Sequence, residues 1–535
     1  MTGPILRVAC AQLPAHGIEE AETALGEALA AVAEAARRGA DLVVLPECTY
    51  PAYLILPTPP AAPLRPDHEV EALFAATARD HGIAAMVGLA QGIFTGSARN
   101  AAVLFDGTGA PVLRTAKRFL WDFDGRWFAP GDGSPVADLA GARLGGLVCA
   151  DARLPEIARS LVLQGARLIL DPTAWVTSGR DPRMLSNPQP EFLMRVRALE
   201  NGAFIAAANK VGTEQDAVVY CGRSGVFAPD GSVVAAASSH EPEILTADVD
   251  LTAAKGPPVP RRPELYGTVA AAPRELCAPR RAATPIVPND AWQRVVLVQS
   301  DVLRLGPEIE AWLRAHAPMV EALDAGFLAA AATGIPSPLV AERAARLAAA
   351  AGVPVALGVA DGVGRFTHGA WAPRGAAKLF RSSHAPGSAG PLDWSGRLLD
   401  SGPLRTGVLL GAEGLVPEMA RSLALMGAEH VLWFADARTP LAEEVTRARA
   451  MENRVYACAI VAGDPHGGRS FISDPDGRVV AAGLQARHQL VSAVLQVAAA
   501  RFKQMAPGTD VLGGRRPQEY GSLVEGAATA PGAGR

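Results

Sequence analysis

The sequence predicts an α/β protein made of two tandem domains, and its length, an internal repeat and the alternation of its segments all indicate this fold class. The chain has 535 residues, more than a single hydrophobic core ordinarily supports. Apolar residues make up 49% and charged residues 19%, which suits a folded chain with sizeable cores. Within each half, short β-branched runs alternate with longer amphipathic stretches, as in layered α/β domains.

The two halves of the chain repeat one another in order. LGGLVCADARLPEIARSLVL, from residue 144, aligns with TGVLLGAEGLVPEMARSLAL, from residue 406. GIAAMVGLAQG at 82–92 aligns with GVPVALGVADG at 352–362, and RRPELYG at 261–267 aligns with RRPQEYG at 515–521. Because these matches keep their order, they predict a duplicated domain.

Composition shifts set the expected boundaries of the domains. A stretch rich in Pro and Arg separates the two copies, and a stretch of Gly, Ala and Pro closes the chain. We therefore expect a first domain over 1–270, a linker over 271–290, a second domain over 291–522 and a flexible tail over 523–535.

The elements of the first half follow from their hydrophobic periodicity. Strands are expected at 6–13, 41–47, 83–92, 100–109 and 143–151, and a hairpin with an Asp-Gly turn at 226–236. Helices are expected at 18–39 and 68–82, because apolar residues recur three and four apart and a glycine ends each segment.

Charge and cysteine content narrow the function classes. The net charge of -4 gives no reason to expect a nucleic-acid or membrane partner. The six cysteines are scattered, so we expect neither a metal site nor disulfides, and no cofactor. The N-terminus reads as a strand instead of a signal peptide, and no apolar run reaches about 18 residues, so we expect a cytoplasmic protein.

Three apolar strands end in a residue that can do chemistry. Glu47 follows DLVVLP, Lys117 follows VLRTA, and Cys149 follows LGGLV. Loops after strand ends are where α/β proteins usually hold reactive groups. A thiol needs a base or a positive neighbour to react at neutral pH, and a carboxylate and an ammonium group would supply both.

These segments, LPEC, TAKRF and VCADARLPE, together with RRPELY, resemble the motifs of the nitrilase superfamily, the carbon–nitrogen hydrolases. The resemblance covers roughly 4–267 and, more weakly, 291–521. It implies αββα sandwich domains, here packed as an internal pseudo-dimer, and a catalytic triad of Glu47, Lys117 and Cys149. In that triad the glutamate moves protons, the cysteine is the nucleophile, and the lysine stabilises the charged intermediate together with the backbone N–H of Ala150.

The resemblance also suggests supporting residues. Many members carry a second glutamate after the lysine; this chain has Asp124, which we expect either to hold Lys117 or the attacking water or only to brace the loop. Asp151, Arg153 and Glu156 are expected to be structural. Substrate contacts are expected from the aromatic residues nearest the triad segments, which are Tyr53, Trp121, Trp127 and Trp175.

The sequence after the nucleophile favours one chemistry among several. Cys-Ala-Asp is closer to the amidase and carbamoylase branches than to the Cys-Trp-Glu of many nitrilases. We therefore expect hydrolysis of a small amide or carbamoyl compound through a thioester. A nitrilase, an acyl transferase and a non-catalytic binding protein are the alternatives, and further homo-oligomerisation stays open.

The second half is expected to be catalytically empty. Gly411 aligns with Cys149, and no acidic residue lies between Asp324 and Glu342, where the glutamate strand should be. Lys378 alone is expected near the position of Lys117. One surviving member cannot run covalent catalysis, so a pseudo-domain that still folds is predicted.

Overall fold

A computed structural model describes residues 5–55, 63–93, 96–177, 184–272, 276, 291–299, 308–373, 377–385, 388, 392–461, 469–484 and 488–525. The chain divides into two compact units. Unit 1 contains Met1–Pro258 and Ala506–Thr509, and unit 2 contains Val259–Met505 and Asp510–Arg535. Most of the predicted linker at 271–290 and most of the predicted tail at 523–535 lie outside the described residues.

Unit 1 is built on two mixed β-sheets. The first has eight strands in the order β11-β10-β1-β2-β3-β4-β5, with β14 also pairing with β1; the second has six in the order β13-β12-β9-β8-β7-β6. The strands are β1 (Ile5–Pro14), β2 (Leu42–Val44), β3 (Ala84–Gln91), β4 (Arg99–Phe105), β5 (Pro111–Ala116), β6 (Val136–Leu139), β7 (Ala142–Gly146), β8 (Leu168–Pro172), β9 (Phe204–Ala208), β10 (Lys210–Glu214), β11 (Val218–Cys221), β12 (Gly225–Phe227), β13 (Val233–Ala236) and β14 (Glu243–Asp250).

The helices of unit 1 cover the outer faces of these sheets. Alternate residues of β1, β2 and β3 join Leu25, Val32 and Phe74 in one buried cluster, because successive strand residues point to opposite faces. On the second sheet, Gly145 of β7 packs against Leu161. The helices are α1 (Ala21–Arg37), α2 (Asp67–His81), α3 (Pro155–Leu163) and α4 (Met194–Asn201).

The inner faces of the two sheets pack against each other. Gly146 of β7 lies against Leu113 and Met86 of the first sheet, where an added Cβ would stand 2.8 and 3.1 Å from their side chains. The Cys10 thiol of β1 faces the carbonyl of Gly225 in the second sheet. The layer order is thus αββα, as the resemblance implied, and the buried strands read as apolar runs because both faces of each sheet are covered.

Unit 2 repeats this plan. Its sheets have the orders β19-β18-β17-β16-β15-β26 and β20-β21-β22-β23-β24-β25. A short β27-β28 pair follows along the chain, with Ala506 and Thr509 counted in unit 1. The strands are β15 (Trp292–Gln299), β16 (Phe327–Thr333), β17 (Val355–Ala360), β18 (Phe366–Ala372), β19 (Lys378–Arg381), β20 (Leu398–Asp400), β21 (Arg405–Leu410), β22 (His430–Ala435), β23 (Tyr456–Val461), β24 (Phe471–Ser473), β25 (Val479–Ala482), β26 (Gln489–Gln496), β27 (Gln504–Ala506) and β28 (Thr509–Asp510).

Short and long helices complete the second half. They are α5 (Gly267–Ala270), α6 (Ile309–Ala322), α7 (Val340–Ala351), α8 (Pro417–Leu425), α9 (Ala442–Asn453), α10 (Val497–Arg501) and α11 (Gly521–Val524). The predicted first domain extends to 270, whereas unit 2 already begins at Val259. Within unit 2, Arg262 donates to the carbonyl of Ser383 and Tyr266 hydrogen-bonds His384, which ties this segment to unit 2.

None of the helices in the described part of the chain has the length and apolarity that a membrane crossing requires.

Candidate active site

Glu47 lies three residues beyond β2, in the interior of unit 1. Its side chain has no exposed surface, and its Oε1 atom accepts hydrogen bonds from Lys117 Nζ at 2.8 Å and from the Asn100 side-chain amide. Gly88 of β3 leaves room for the backbone of Glu47, because an added Cβ there would stand 2.7 Å from the Glu47 Cα atom. The carboxylate is therefore held by two donors, one on β4 and one directly after β5.

Lys117 follows β5 directly and places its ammonium group between two carboxylates. Its Nζ atom is 2.8 Å from Glu47 Oε1 and 2.7 Å from Asp124 Oδ2, and all three side chains are buried. Burial by itself lowers the pKa of Lys117, but Asp124 and Glu47 more than offset this and leave the pKa well above its usual value. Asp124 thus contacts Lys117 directly, and it also accepts a hydrogen bond from the backbone N–H of Trp121 at 2.8 Å. Its supporting role stays a prediction.

Cys149 opens a short 3₁₀ turn, Cys149–Arg153, three residues after β7. Its φ angle of 49° is in the left-handed region, which costs free energy for a residue with a Cβ. Its backbone is fixed on both sides: the N–H donates to Asp171 Oδ1 at 2.7 Å, and the carbonyl accepts from Gln189 Nε2 at 3.0 Å. The thiol is buried, with 6% of the residue exposed.

The three predicted triad residues act on one another electrostatically. Burial raises the pKa of the Cys149 thiol well above its usual value, the charge of Glu47 raises it further, and Lys117 lowers it. The three groups therefore share one buried compartment. Burial and the nearby negative charge both favour the protonated thiol over the thiolate.

Asp151 joins the lysine loop to the cysteine loop. Its Oδ1 atom accepts from the backbone N–H groups of Arg118 and Phe119, each at 2.8 Å, and its Oδ2 atom accepts from Val148 N–H at 3.2 Å. This is the structural role expected for Asp151. Such bonds fix the strand end carrying Lys117 relative to the turn carrying Cys149.

The predicted aromatic contacts differ in their surroundings. Lys117 Nζ lies 5.5 Å from the centre of the Tyr53 ring, and Phe123 packs between Tyr53 and Trp127. Trp121 stacks on the Arg153 guanidinium, whose carbon is 4.1 Å from the ring centre.

Trp175 has different surroundings: the residue is 1% exposed, and its backbone N–H donates to Asn209 Oδ1 at 2.7 Å. Tyr53 thus lies beside the triad, and the substrate contacts of all four aromatic residues stay predictions.

Several residues that build the site are not evident in the sequence motifs. Asn100 holds Glu47, Gln189 holds the Cys149 carbonyl, and Asp171 holds its N–H. Glu214 accepts from the backbone N–H groups of Tyr53 and Leu54 and thereby fixes the segment after Glu47. Among the described residues, no group of three or more His, Cys, Asp or Glu side chains could hold a metal ion.

The strand registers identify the equivalent positions in unit 2. Gly88 pairs with Ala102 and Ala102 with Thr115, while Gly358 pairs with Gly369 and Gly369 with Phe380. Counting from these pairs puts Ser382 at the position of Lys117. Val44 pairs with Met86 and Ala329 with Ala356, which puts Ala332 at the position of Glu47. The expectation that Lys378 occupies that place is wrong, because Lys378 is the first residue of β19 and lies four residues earlier, exposed.

The position of Cys149 in unit 2 is Gly411, and neighbouring atoms leave little room for a side chain there. Gly411 keeps a φ angle of 56°, but an added Cβ would stand 2.9 Å from both Asp436 Oδ1 and the Phe366 carbonyl. The Trp433 indole donates to the Gly411 carbonyl at 2.8 Å and fills the space beside Gly414. Unit 2 therefore keeps the shape of the turn without the three reactive groups.

Comparisons with known proteins give relatives that each match about two fifths of this chain. The chain is 37% identical over 240 residues to a protein named as a hydrolase from Pseudomonas protegens, covering 42% of this chain and 80% of the relative. It is 30% identical over 237 residues to an omega-amidase of Xenopus laevis, covering 42% and 83%. It is also 30% identical over 229 residues to a nitrilase of Pyrococcus abyssi, covering 41% and 80%.

This chain is also similar to a solved structure, that of an amidase from Nesterenkonia sp. The two are 27% identical with a TM-score of 0.40, and the match covers 47% of this chain and 92% of that one. The carbon-nitrogen hydrolase family profile matches residues 7–256 and 373–503, which is most of the chain and both repeats. The protein therefore belongs to the carbon-nitrogen hydrolase family, as a tandem repeat of its domain.

Proposed function

We propose that unit 1 hydrolyses a small amide or carbamoyl compound through a thioester on Cys149, releasing ammonia or an amine. The observation that carries the proposal is the buried Lys117 ammonium group, which lies 2.8 Å from Glu47 and 2.7 Å from Asp124. Its charge also lowers the pKa of the Cys149 thiol. A thiol, a base and a cation in one desolvated compartment are what acyl transfer to sulfur requires.

The first half-reaction forms the acyl-enzyme. Glu47 takes the proton of the Cys149 thiol as the sulfur attacks the carbonyl carbon, and the carbonyl oxygen becomes negatively charged. Lys117 and the backbone N–H of Ala150 stabilise that oxygen. Such a donor is typically worth about 3 kcal/mol of barrier. The proton held by Glu47 passes to the nitrogen as the C–N bond breaks, and the amine leaves.

The second half-reaction releases the acid. Glu47, again a carboxylate, removes a proton from water as the water oxygen attacks the thioester carbon. The C–S bond breaks, the sulfur regains a proton from Glu47, and a carboxylic acid leaves. Every proton is returned, so the cycle needs no cofactor and no external oxidant.

Nitrile hydrolysis is a second candidate function, because one relative is a nitrilase of Pyrococcus abyssi and the same three groups can open a nitrile. The omega-amidase relative and the Cys-Ala-Asp sequence after the nucleophile support the amide. Ammonia release from a panel of small amides and from the matching nitriles separates the two.

We expect turnover of at least one amide and a loss of that turnover in the Cys149→Ala variant, with the Cys48→Ala variant as the matched control. Activity that survives Cys149→Ala would contradict the proposal.

A further inference from the structure

Asp171 is a buried carboxyl group beside the nucleophile, and the proposed mechanism does not use it. It lies on β8, its side chain is fully buried, and its Oδ1 atom accepts the Cys149 N–H at 2.7 Å. Its other oxygen, Oδ2, has no hydrogen-bond partner among the described residues. An ionisable residue inside an otherwise apolar strand, LILDP, needs a physical reason.

The bond to Asp171 fixes a strained piece of backbone. Cys149 is held at a φ angle of 49°, a conformation that persists only where the surroundings determine it. Asp171 holds the peptide group before the nucleophile, while Gln189 holds the carbonyl after it. Together they set where the thiol points.

The second repeat supports this interpretation of the strand position. The register equates Asp171 with Trp433, whose indole N–H donates to the carbonyl of Gly411 at 2.8 Å. Both repeats thus fix the left-handed residue of the turn from the same place on the sheet. The repeat that has the thiol carries a carboxyl group at this position, and the other repeat carries an indole.

The charges around Asp171 indicate its protonation state. Asp171 interacts electrostatically with five titratable groups, which are Cys10, Glu47, Lys117, Cys149 and Asp151. Lys117 is the one cation in this set, and it is already in contact with Glu47 and with Asp124. Burial and the nearby charge of Glu47 raise the pKa of Asp171 well above its usual value. An ionised Oδ2 without a partner would cost far more than a neutral hydroxyl in the same place.

We infer that Asp171 is a positioning residue that anchors the nucleophile turn through the Cys149 N–H and does so as a neutral carboxylic acid. The inference rests on the proposed function, since it takes Cys149 as the nucleophile. A neutral anchor keeps a third negative charge away from a thiol that must ionise during the reaction.

The test compares two substitutions in the full-length chain. Asp171→Asn keeps an oxygen acceptor and is neutral, so we expect kcat to fall at most about threefold and the acid limb of the pH profile of kcat/KM to stay in place. Asp171→Val removes the acceptor, so we expect kcat to fall about 30- to 100-fold with KM changed less than about threefold. Asp138→Asn, an exposed carboxylate on β6, is the matched control.

Each result decides one part of the inference. An acid limb moved to lower pH by about one unit in Asp171→Asn would show that Asp171 is ionised, because losing a nearby negative charge favours ionisation of the acid whose loss of a proton gives this limb. Unchanged kcat in Asp171→Val would overturn the positioning role. If Asp171→Val does not fold, Asp171→Ser, whose hydroxyl is too short to reach, replaces it. Activity that survives Cys149→Ala would instead overturn the proposed function, whatever the Asp171 variants do.

Discussion

Glu47 carries the proton transfers in the proposed cycle, and a single substitution at this residue tests that role. The Glu47→Gln variant keeps the shape and the hydrogen-bonding capacity of the side chain but cannot accept a proton. We expect kcat to fall by about 10²- to 10⁴-fold with little change in KM, measured by steady-state ammonia release. Glu69→Gln, at an exposed position on α2, is the control and should leave kcat unchanged.

The pKa of Cys149 gives a second prediction for the same variant. Burial and Glu47 raise this pKa, so at pH 7 the thiolate is a minor species, and its fraction rises about tenfold per pH unit up to the pKa. Alkylation of Cys149 by iodoacetamide, followed by mass spectrometry of its peptide, should therefore still accelerate above pH 8. Glu47→Gln removes a negative charge, lowers the pKa of Cys149 and should speed alkylation while it slows turnover. A plateau below pH 8 would contradict this prediction.

Asp124 contacts Lys117, and we propose that it supports catalysis through that lysine. The Asp124→Asn variant leaves the ammonium group with Glu47 as its remaining contacting carboxylate, so Lys117 is less firmly placed against the developing oxyanion. We expect kcat to fall about tenfold. Asp122→Asn, two residues away in the same turn, is the matched control; equal effects from the two variants would show that Asp124 only braces the loop.

At the level of elements, β10 controls the loop that follows Glu47. Glu214 accepts from Tyr53 N–H at 2.8 Å and from Leu54 N–H at 2.6 Å, and it pairs with Lys210 Nζ at 3.1 Å. Lys210 in turn donates to the carbonyl of Cys48. The strand thus ties the backbone on both sides of the turn.

Glu214→Leu leaves the Lys210 ammonium group buried without its carboxylate. Removing one partner of such a buried pair typically costs about 3–5 kcal/mol of unfolding free energy. We expect a loss of this size in urea unfolding followed by circular dichroism, and a lower kcat because the Tyr53 loop is released. Glu241→Leu, on the exposed surface, should change the unfolding free energy by less than about 0.5 kcal/mol.

The strand ends carrying Glu47, Lys117 and Cys149 could be predicted from sequence, because each follows an apolar run and leads into a loop. The anchors Asn100, Asp171 and Gln189 could not, since each contributes one polar atom from a distant segment. Asp171 had a signal, a carboxylate inside an apolar strand.

Lys378 was placed wrongly because the resemblance of GAAKLF to the segment around Lys117 is local and does not determine how the strands pair. The pairing of β18 with β19 determines that Ser382, and not Lys378, takes the place of Lys117.

At the level of the whole molecule, unit 2 has lost more than the nucleophile. Ala332, Ser382 and Gly411 stand at the three triad positions, and the Trp433 side chain fills the space beside Gly414 in the turn. We therefore expect Ala332→Glu, Ser382→Lys and Gly411→Cys together to give no ammonia release in a Cys149→Ala chain. The same three changes with Cys149 intact are the control for folding and should retain turnover. Restored turnover would contradict the pseudo-domain.

The internal pseudo-dimer stays a prediction of the sequence. Expression of residues 1–275 alone tests whether the first repeat needs the second. We expect this fragment to lose folding stability or activity, measured by thermal unfolding and ammonia release. A well-folded fragment with full activity would remove this reason for keeping the second repeat.

The most direct test of the central claim is mass spectrometry of the full-length protein, acid-quenched during turnover of an active amide. We predict a peptide containing Cys149 with the added mass of the acyl group, and no such mass on Cys458 or the other cysteines. Turnover without an adduct on Cys149, together with full activity of Cys149→Ala, would contradict it.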